Sequence, residues 1–182
     1  MGTIHQPDLV LPLLAAFSRH PSALDWARGK ACDHWGPLAA ESEPFAFTET
    51  DYYEPTMGPH LTKVFFVFER LVDPATLALM KRQTNDWEAD YAGRCEHAET
   101  RPLNLDPGYL TLGKLVLAST KDHAHRIYLG QGIYAEVTLE YRDRNWRSRD
   151  WTFADYQRSD YQAFFSEARE YLRRRIRAER TD

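Results

Sequence analysis

The three residues Gly130-Gln131-Gly132 separate two runs of alternating character, and that pattern leaves little choice but an antiparallel hairpin. In residues 133–141, Ile133, Ala135, Val137, Leu139 and Tyr141 fall on one face. Tyr134, Glu136, Thr138 and Glu140 fall on the other, because side chains alternate along a strand. Pairing Leu129 with Ile133 across the loop sets Tyr128 against Tyr134, Arg126 against Glu136 and His125 against Val137. Cross-strand neighbours lie about 5 Å apart, so this register predicts an Arg126–Glu136 ion pair beside two tyrosines. It also places His123 and His125 on the opposite, apolar face with Ile127 and Leu129.

The stretch that enters this hairpin, Ser119-Thr120-Lys121-Asp122-His123-Ala124-His125-Arg126-Ile127-Tyr128, reads as a strand with an unusual polar load. Strands carry such groups when they have partners or work to do, which points to a site on a rigid sheet. The alternatives are ordinary. An exposed cross-strand pair is worth less than about 1 kcal/mol, and a histidine on an apolar face is more often hydrogen-bonded core than a ligand. Lys121 and Arg126 with Ser119, Thr120 and Lys114 nonetheless make a plausible anion cradle. An odd–even register sends Lys121 and Arg126 to opposite faces unless a twist or bulge intervenes near Thr120.

The rest of the chain supplies alternating elements. Residues 9–17 read as a buried strand; Pro12 either weakens that reading or places the strand at a sheet edge. Ser22-Ala23-Leu24-Asp25 resembles a capping box ahead of a helix that Gly36-Pro37 ends. An extended piece over 38–47, a polar turn around 51–58 and a strand over 63–68 follow. Asp73-Pro74 starts a helix with the stripe Leu77, Met80, Thr84, Trp87 and Tyr91, closed by Gly93. Lys81, Asn85 and Glu88 lie beside that stripe and read as a solvated face. A loop over 94–108 leads to a strand over 114–120. The order β-α-β-β-α-β predicts an α+β domain over 1–182 with a ferredoxin-like core. An antiparallel hairpin, an irregular aromatic stretch over 142–158 and a C-terminal helix from Ser159 follow, the helix with an apolar face from Tyr161 to Ile176.

Two further segments carry chemistry. Asp51-Tyr52-Tyr53-Glu54 offers two carboxylates and two phenols that could bind a divalent cation or act as acid and base, or simply form a polar turn. Asn104-Leu105-Asp106-Pro107-Gly108-Tyr109 reads as a turn, with Asp106 bonding the backbone ahead; Asn104 is less easily explained that way. No P-loop, nucleophile elbow, zinc helix, dinucleotide fingerprint or Cys-x-x-Cys is present, so no cofactor or metal follows from the sequence.

Composition narrows the class. The chain has 182 residues, 43% hydrophobic and 13% aromatic, which is globular. A net charge of −4 argues against a generic nucleic-acid binder. The C-terminal arginines (Arg169, Arg173, Arg174, Arg175, Arg177, Arg180) are interleaved with Glu170 and Glu179 at a helix C-terminus, where the macrodipole favours cations. Cys32 and Cys95 form no disulfide framework, and the N-terminus has neither a signal-peptide pattern nor a spanning segment. The expectation is a soluble, cytoplasmic protein with no membrane contact.

Several motifs together resemble one family. They are Thr50-Asp51-Tyr52-Tyr53-Glu54 with Met57-Gly58, Lys81 with Thr84-Asn85, and Asn104 to Tyr109. To these are added Leu117 to Lys121, His125 to Leu129, Gly132 to Leu139, Trp151-Thr152 and Asp155-Tyr156. This series resembles the bacterial family catalogued as domain of unknown function 4416, and it spans nearly the whole chain. The family pattern has an acidic residue just before Met57, where this chain has Thr56, and it does not include His123. The resemblance implies that these residues belong together; it supplies no reaction.

The functional expectation is binding or turnover of a small anionic, phosphorylated ligand at a site built from 50–58, 104–109 and 119–136. Lys121 and Arg126 would hold the anion, and His125, Asp51 and Glu54 would do acid–base or cation chemistry. Asn104, Asp106, Tyr52, Tyr53, Tyr128 and Glu136 would line the ligand. The alternative is a non-catalytic module that contacts RNA or protein through Tyr52, Tyr53, Tyr128 and the basic helix end.

Overall fold

The computed structural model describes residues 2–179. Strand β1 (Leu11–Ser18) is buried along its whole length. It lies inside the sheet, not at an edge. Pro12 is tolerated because β5 pairs alongside it whereas β4 pairing begins only at Leu13. Helix α1 (Pro21–Trp35) begins at Pro21, with His20 at the N-cap and no side-chain cap, so the Ser22 capping box is not used. Ala23, Leu24, Ala27 and Ala31 bury its inner face.

The extended piece over 38–47 is two strands, β2 (Leu38–Glu41) and β3 (Phe45–Phe47), both paired with β4 (Leu61–Phe68). Between them Ser42 Oγ accepts the Phe65 N–H at 2.9 Å in place of a regular ladder. A short helix α2 (Glu54–Met57) follows β3. Asp73 Oδ1 accepts the Ala75 N–H at 2.8 Å and starts the 3-10 turn Pro74–Thr76, which runs into α3 (Leu77–Arg94).

Strands β5 (Asn104–Leu110), β6 (Lys114–Ser119), β7 (Ile127–Gly130), β8 (Ile133–Arg142) and β9 (Asn145–Ser148) complete the sheet. The stretch over 142–158 therefore contains a strand, β9, held by β8. Helix α4 (Ser159–Glu179) ends the described chain; Arg180 lies outside the described residues. The sheet runs β2-β4-β1-β5-β6-β8-β7, with β3 also on β4 and β9 on β8, and the pairings are antiparallel. Leu14, Ala16, Val64 and Phe66 pack toward α1 and Trp87 and Tyr91 of α3. Leu13, Ala15, Phe65 and Leu117 pack toward α4 through Tyr161, Phe164, Phe165 and Leu172. The mixed α+β class is as expected.

Two register features position the site. In β8 the pairing with β6 shifts between Leu139 and Val137. Ile133, Ala135 and Val137 therefore pack with Leu77 of α3, whereas Leu139 and Tyr141 pack under α4. The single apolar face expected for this run is divided by a bulge, because one extra residue inverts every side chain beyond it.

The second feature is a split. Strand β5 pairs with β6 only from Gly108 to Leu110, although β5 continues along β1 to Asn104 and β6 continues along β8 to Ser119. Asp106-Pro107-Gly108 is strand, not turn, and each residue shapes the split. Pro107 has no ladder donor. A Cβ on Gly108 would lie 2.3 Å from the Val116 carbonyl oxygen, so only glycine lets the strands meet there. Beyond that contact the sheet opens.

Candidate functional site

A cleft of about 560 Å³ occupies this opening, within the range of small-ligand pockets. Its walls come from chain segments far apart in sequence: the 50–53 turn, α3, β5, the loop after β6, β8 and the 153–156 segment.

The first wall is the 119–136 region. Strand β6 stops at Ser119 and β7 starts at Ile127, so residues 120–126 form a loop where a continuous strand was expected. Its turn is closed by the Arg126 N–H to the His123 carbonyl at 2.8 Å. Tyr128 does face Tyr134, as the hairpin register required, but a bulge pairs Gly130, not Leu129, with Ile133. The Arg126–Glu136 ion pair forms, Nε donating to Oε2 at 2.7 Å. It is no exposed surface pair: the side chains are 4% and 1% exposed.

The loop changes which groups converge. His125 Nε2 lies 3.0 Å from the same Glu136 Oε2, so His125 joins the Arg126 side instead of the opposite face. Its ring stacks on Trp151 at 5.2 Å, and Trp151 donates to the Val137 carbonyl at 3.0 Å. Arg126 Nη1 donates to Ser119 Oγ at 2.6 Å and to the Lys121 carbonyl at 3.0 Å. No acceptor among the described residues engages its Nη2. Ser119 Oγ also accepts the Lys121 N–H at 3.1 Å, which leaves its own O–H as a donor at the cleft wall.

Lys121 and Arg126 both line the cleft, since the loop removes the odd–even constraint. Lys121 Nζ reaches the Tyr52 hydroxyl at 3.1 Å and lies 4.7 Å from that ring, with no carboxylate in ion-pair range among the described residues. The Lys121 hydrogen bond and charge hold the Tyr52 phenol below its ordinary range. This contact bridges the 50–53 turn and the 120–126 loop.

The second wall is α3 with β5. Lys81 is buried, and its Nζ donates to the Leu105 carbonyl at 2.7 Å and to Asp106 Oδ1 at 3.0 Å, with Glu88 at 4.0 Å. It is not part of a solvated face; the split in the sheet gives it acceptors. Asn104 Nδ2 donates to Asp106 Oδ2 at 2.7 Å, and Arg101 Nη2 donates to Asn104 Oδ1 at 2.5 Å. Glu88 Oε1 accepts the Leu105 N–H at 2.7 Å. The two carboxyls are driven apart. Burial pushes Asp106 up, but Lys81 and Asn104 outweigh it and leave it below the ordinary aspartate range. For Glu88 burial wins over Lys81, and its carboxyl is raised.

Between the walls, Lys63 and Asp155 form a buried pair at 2.5 Å, with the ammonium 4.1 Å from the Phe47 ring centroid and 4.8 Å from that of Phe17. Burial pushes the Tyr53 phenol far above its usual range, so the ring is a neutral wall.

Of the residues singled out in the sequence, Tyr52, Tyr53, Asn104, Asp106, Lys121, Arg126 and Glu136 line the cleft together. His125 stands behind Glu136 and does not reach the cleft surface. Asp51 and Glu54 are exposed and do not line it; Glu54 is the first residue of helix α2. Tyr128 is exposed on β7, outside the cleft. Lys81 and Asp155, which the family motifs group with these residues without giving them a role, also line the cleft, as do Asn85, Ser119, Thr120 and His123. Of the other lining residues, Glu88 reads as solvated in the sequence, and Lys63 and Arg101 are not singled out there, although Lys63 is a cation inside a run of strand-forming apolar residues. No group of three or more His, Cys, Asp or Glu able to hold a metal exists among the described residues. No helix among them is long and apolar enough to cross a membrane.

The architecture defines an α+β protein whose antiparallel sheet opens into a polar cleft. The family model described as "Domain of unknown function (DUF4416)" matches residues 8–171, and the chain belongs to this family. No curated protein and no solved structure matches it.

Proposed function

We propose that the cleft binds, and in an enzymatic setting turns over, a small anionic, phosphorylated ligand. One observation carries this reading. Arg126 lines the cleft and is buried and fixed by Glu136 and Ser119, yet its Nη2 has no acceptor among the described residues. Fixing one edge of a guanidinium by a carboxylate while leaving another nitrogen free prepares it for an incoming oxyanion. The Ser119 hydroxyl and the Lys121 ammonium add donors beside it. His125 supports Glu136, Asn104 orients the ligand, and Asp51 and Glu54 have no role in this reading.

The β5-β1-β4-β2 order, with α1 and α3 on one face, supports reading the core as ferredoxin-like, extended by β6 to β9 and α4. A cytoplasmic setting suits the two free cysteines. A second reading, a module that docks RNA or protein, draws on Ile127, Tyr128 and Leu129, which are exposed in succession on the edge strand β7.

A thermal-shift screen of nucleotides, sugar phosphates, inorganic phosphate and divalent metals tests the first reading. A ligand at a hundred times its Kd adds about 2.7 kcal/mol of stability. A phosphate-bearing compound should raise Tm, and less so in Arg126→Lys. Stabilisation by RNA alone, or by no anion, would overturn it.

A further inference from the structure

An anion-binding cleft has no evident use for carboxylates, yet its α3–β5 wall presents one held by two hydrogen bonds. Asp106 accepts one hydrogen bond at each oxygen, from Lys81 and from Asn104, and its side chain remains 30% exposed at the cleft. A carboxylate oxygen has room for a second donor, so Asp106 can accept two more. Asn104 is fixed in orientation, its carbonyl taken by Arg101 and one amide hydrogen by Asp106, which leaves the second N–H free. Lys81 is committed to Leu105 and Asp106 with Glu88 beyond, so its charge stays within the wall.

This wall therefore shows an acceptor and a donor side by side. An ammonium has no lone pair to accept from Asn104, and an ionised oxyanion has no proton to donate to Asp106. A hydroxyl does both through a single oxygen. The neutral Tyr53 ring, between the walls, offers an apolar face to C–H bonds.

We propose that the α3–β5 wall recognises hydroxyl groups, so that the ligand of this cleft is a phosphorylated polyol or sugar. The proposal rests on the anion reading above: phosphate at Arg126 and Lys121, hydroxyls at Asp106 and Asn104.

Titration calorimetry on the full chain separates the two claims. The probes are glycerol 3-phosphate, ribose 5-phosphate and glucose 6-phosphate, with methyl phosphate carrying the charge alone and ribose and glucose carrying the hydroxyls alone. At least one polyol phosphate should bind about tenfold or more tighter than methyl phosphate, because a site built to pair hydroxyls loses those bonds with the simple ester. Asp106→Asn should remove that advantage and leave the methyl phosphate affinity within about twofold, since charge recognition lies on the other wall. If this variant does not fold, the wild-type comparison decides alone. Methyl phosphate binding as tightly as every polyol phosphate would overturn the hydroxyl proposal and leave the anion reading standing. Absence of binding by every phosphate would overturn both.

Discussion

The two walls of the cleft differ in how they are made. The 119–136 wall is local: a loop and a hairpin, with Arg126 and Glu136 ten residues apart in the chain. The α3–β5 wall is assembled at long range, from a helix whose Lys81 and Glu88 bond the β5 backbone that β6 leaves unpaired beyond Gly108. The local wall holds a fixed guanidinium with a free edge. The long-range wall holds a carboxylate kept charged and another raised by burial. A single cleft thus joins a cationic side and a side where carboxyls are paired with cations, which suits a ligand with two different ends.

Removing Glu136 is expected to have the largest effect. Glu136→Ala would strand a buried guanidinium, and breaking a buried pair from one side costs about 3–5 kcal/mol. Denaturant unfolding should show that loss. A cost under about 1 kcal/mol would mean that the pair is no more than an ordinary surface contact.

Gly108→Ala tests the junction between the walls. Its Cβ would lie 2.3 Å from the Val116 carbonyl oxygen, so backbone must move. The expected loss is about 1–3 kcal/mol, the usual cost of overpacking. An unchanged stability would show that β5 and β6 can separate freely, and the split would lose its structural basis.

The acid limb of stability probes the long-range wall. Asp106 has a lowered pKa when folded, so its contribution is complete above the ordinary aspartate value of about 3.9 and is lost as pH falls through the folded value. Asp106→Asn should be less stable than wild type at neutral pH and should lose less on acidification. Parallel pH profiles for the two proteins would contradict the assigned charge.

The smallest effect lies at the cleft mouth. Lys121→Ala should let the Tyr52 phenol titrate higher, toward its ordinary range, because the lowering comes from the Lys121 hydrogen bond and charge. Ultraviolet titration of tyrosine ionisation reads this directly, and global stability should stay within about 0.5 kcal/mol.

The same contrast explains what the sequence made legible. The hairpin, the Tyr128–Tyr134 register and the Arg126–Glu136 pair follow from alternation and loop length, both local quantities. The placement of His125 did not follow, since nothing local distinguishes seven mostly polar residues in a loop from seven in a strand. Lys81 and Glu88 read as solvent-facing because helical spacing reports only the helix. Their burial depends on Pro107 and Gly108, which look like a turn until β1 is known to pair through them. The division of β8 by a bulge was likewise invisible, as one inserted residue leaves alternation unchanged on paper.

The central claim is that Arg126 is held so as to receive an oxyanion. Titration calorimetry of wild type and Arg126→Lys with inorganic phosphate tests it most directly. The lysine keeps the charge but cannot bond Glu136, Ser119 and the Lys121 carbonyl while holding a further N–H free, so phosphate should bind roughly tenfold or more weakly to the variant. Equal affinity in the two proteins would contradict the account.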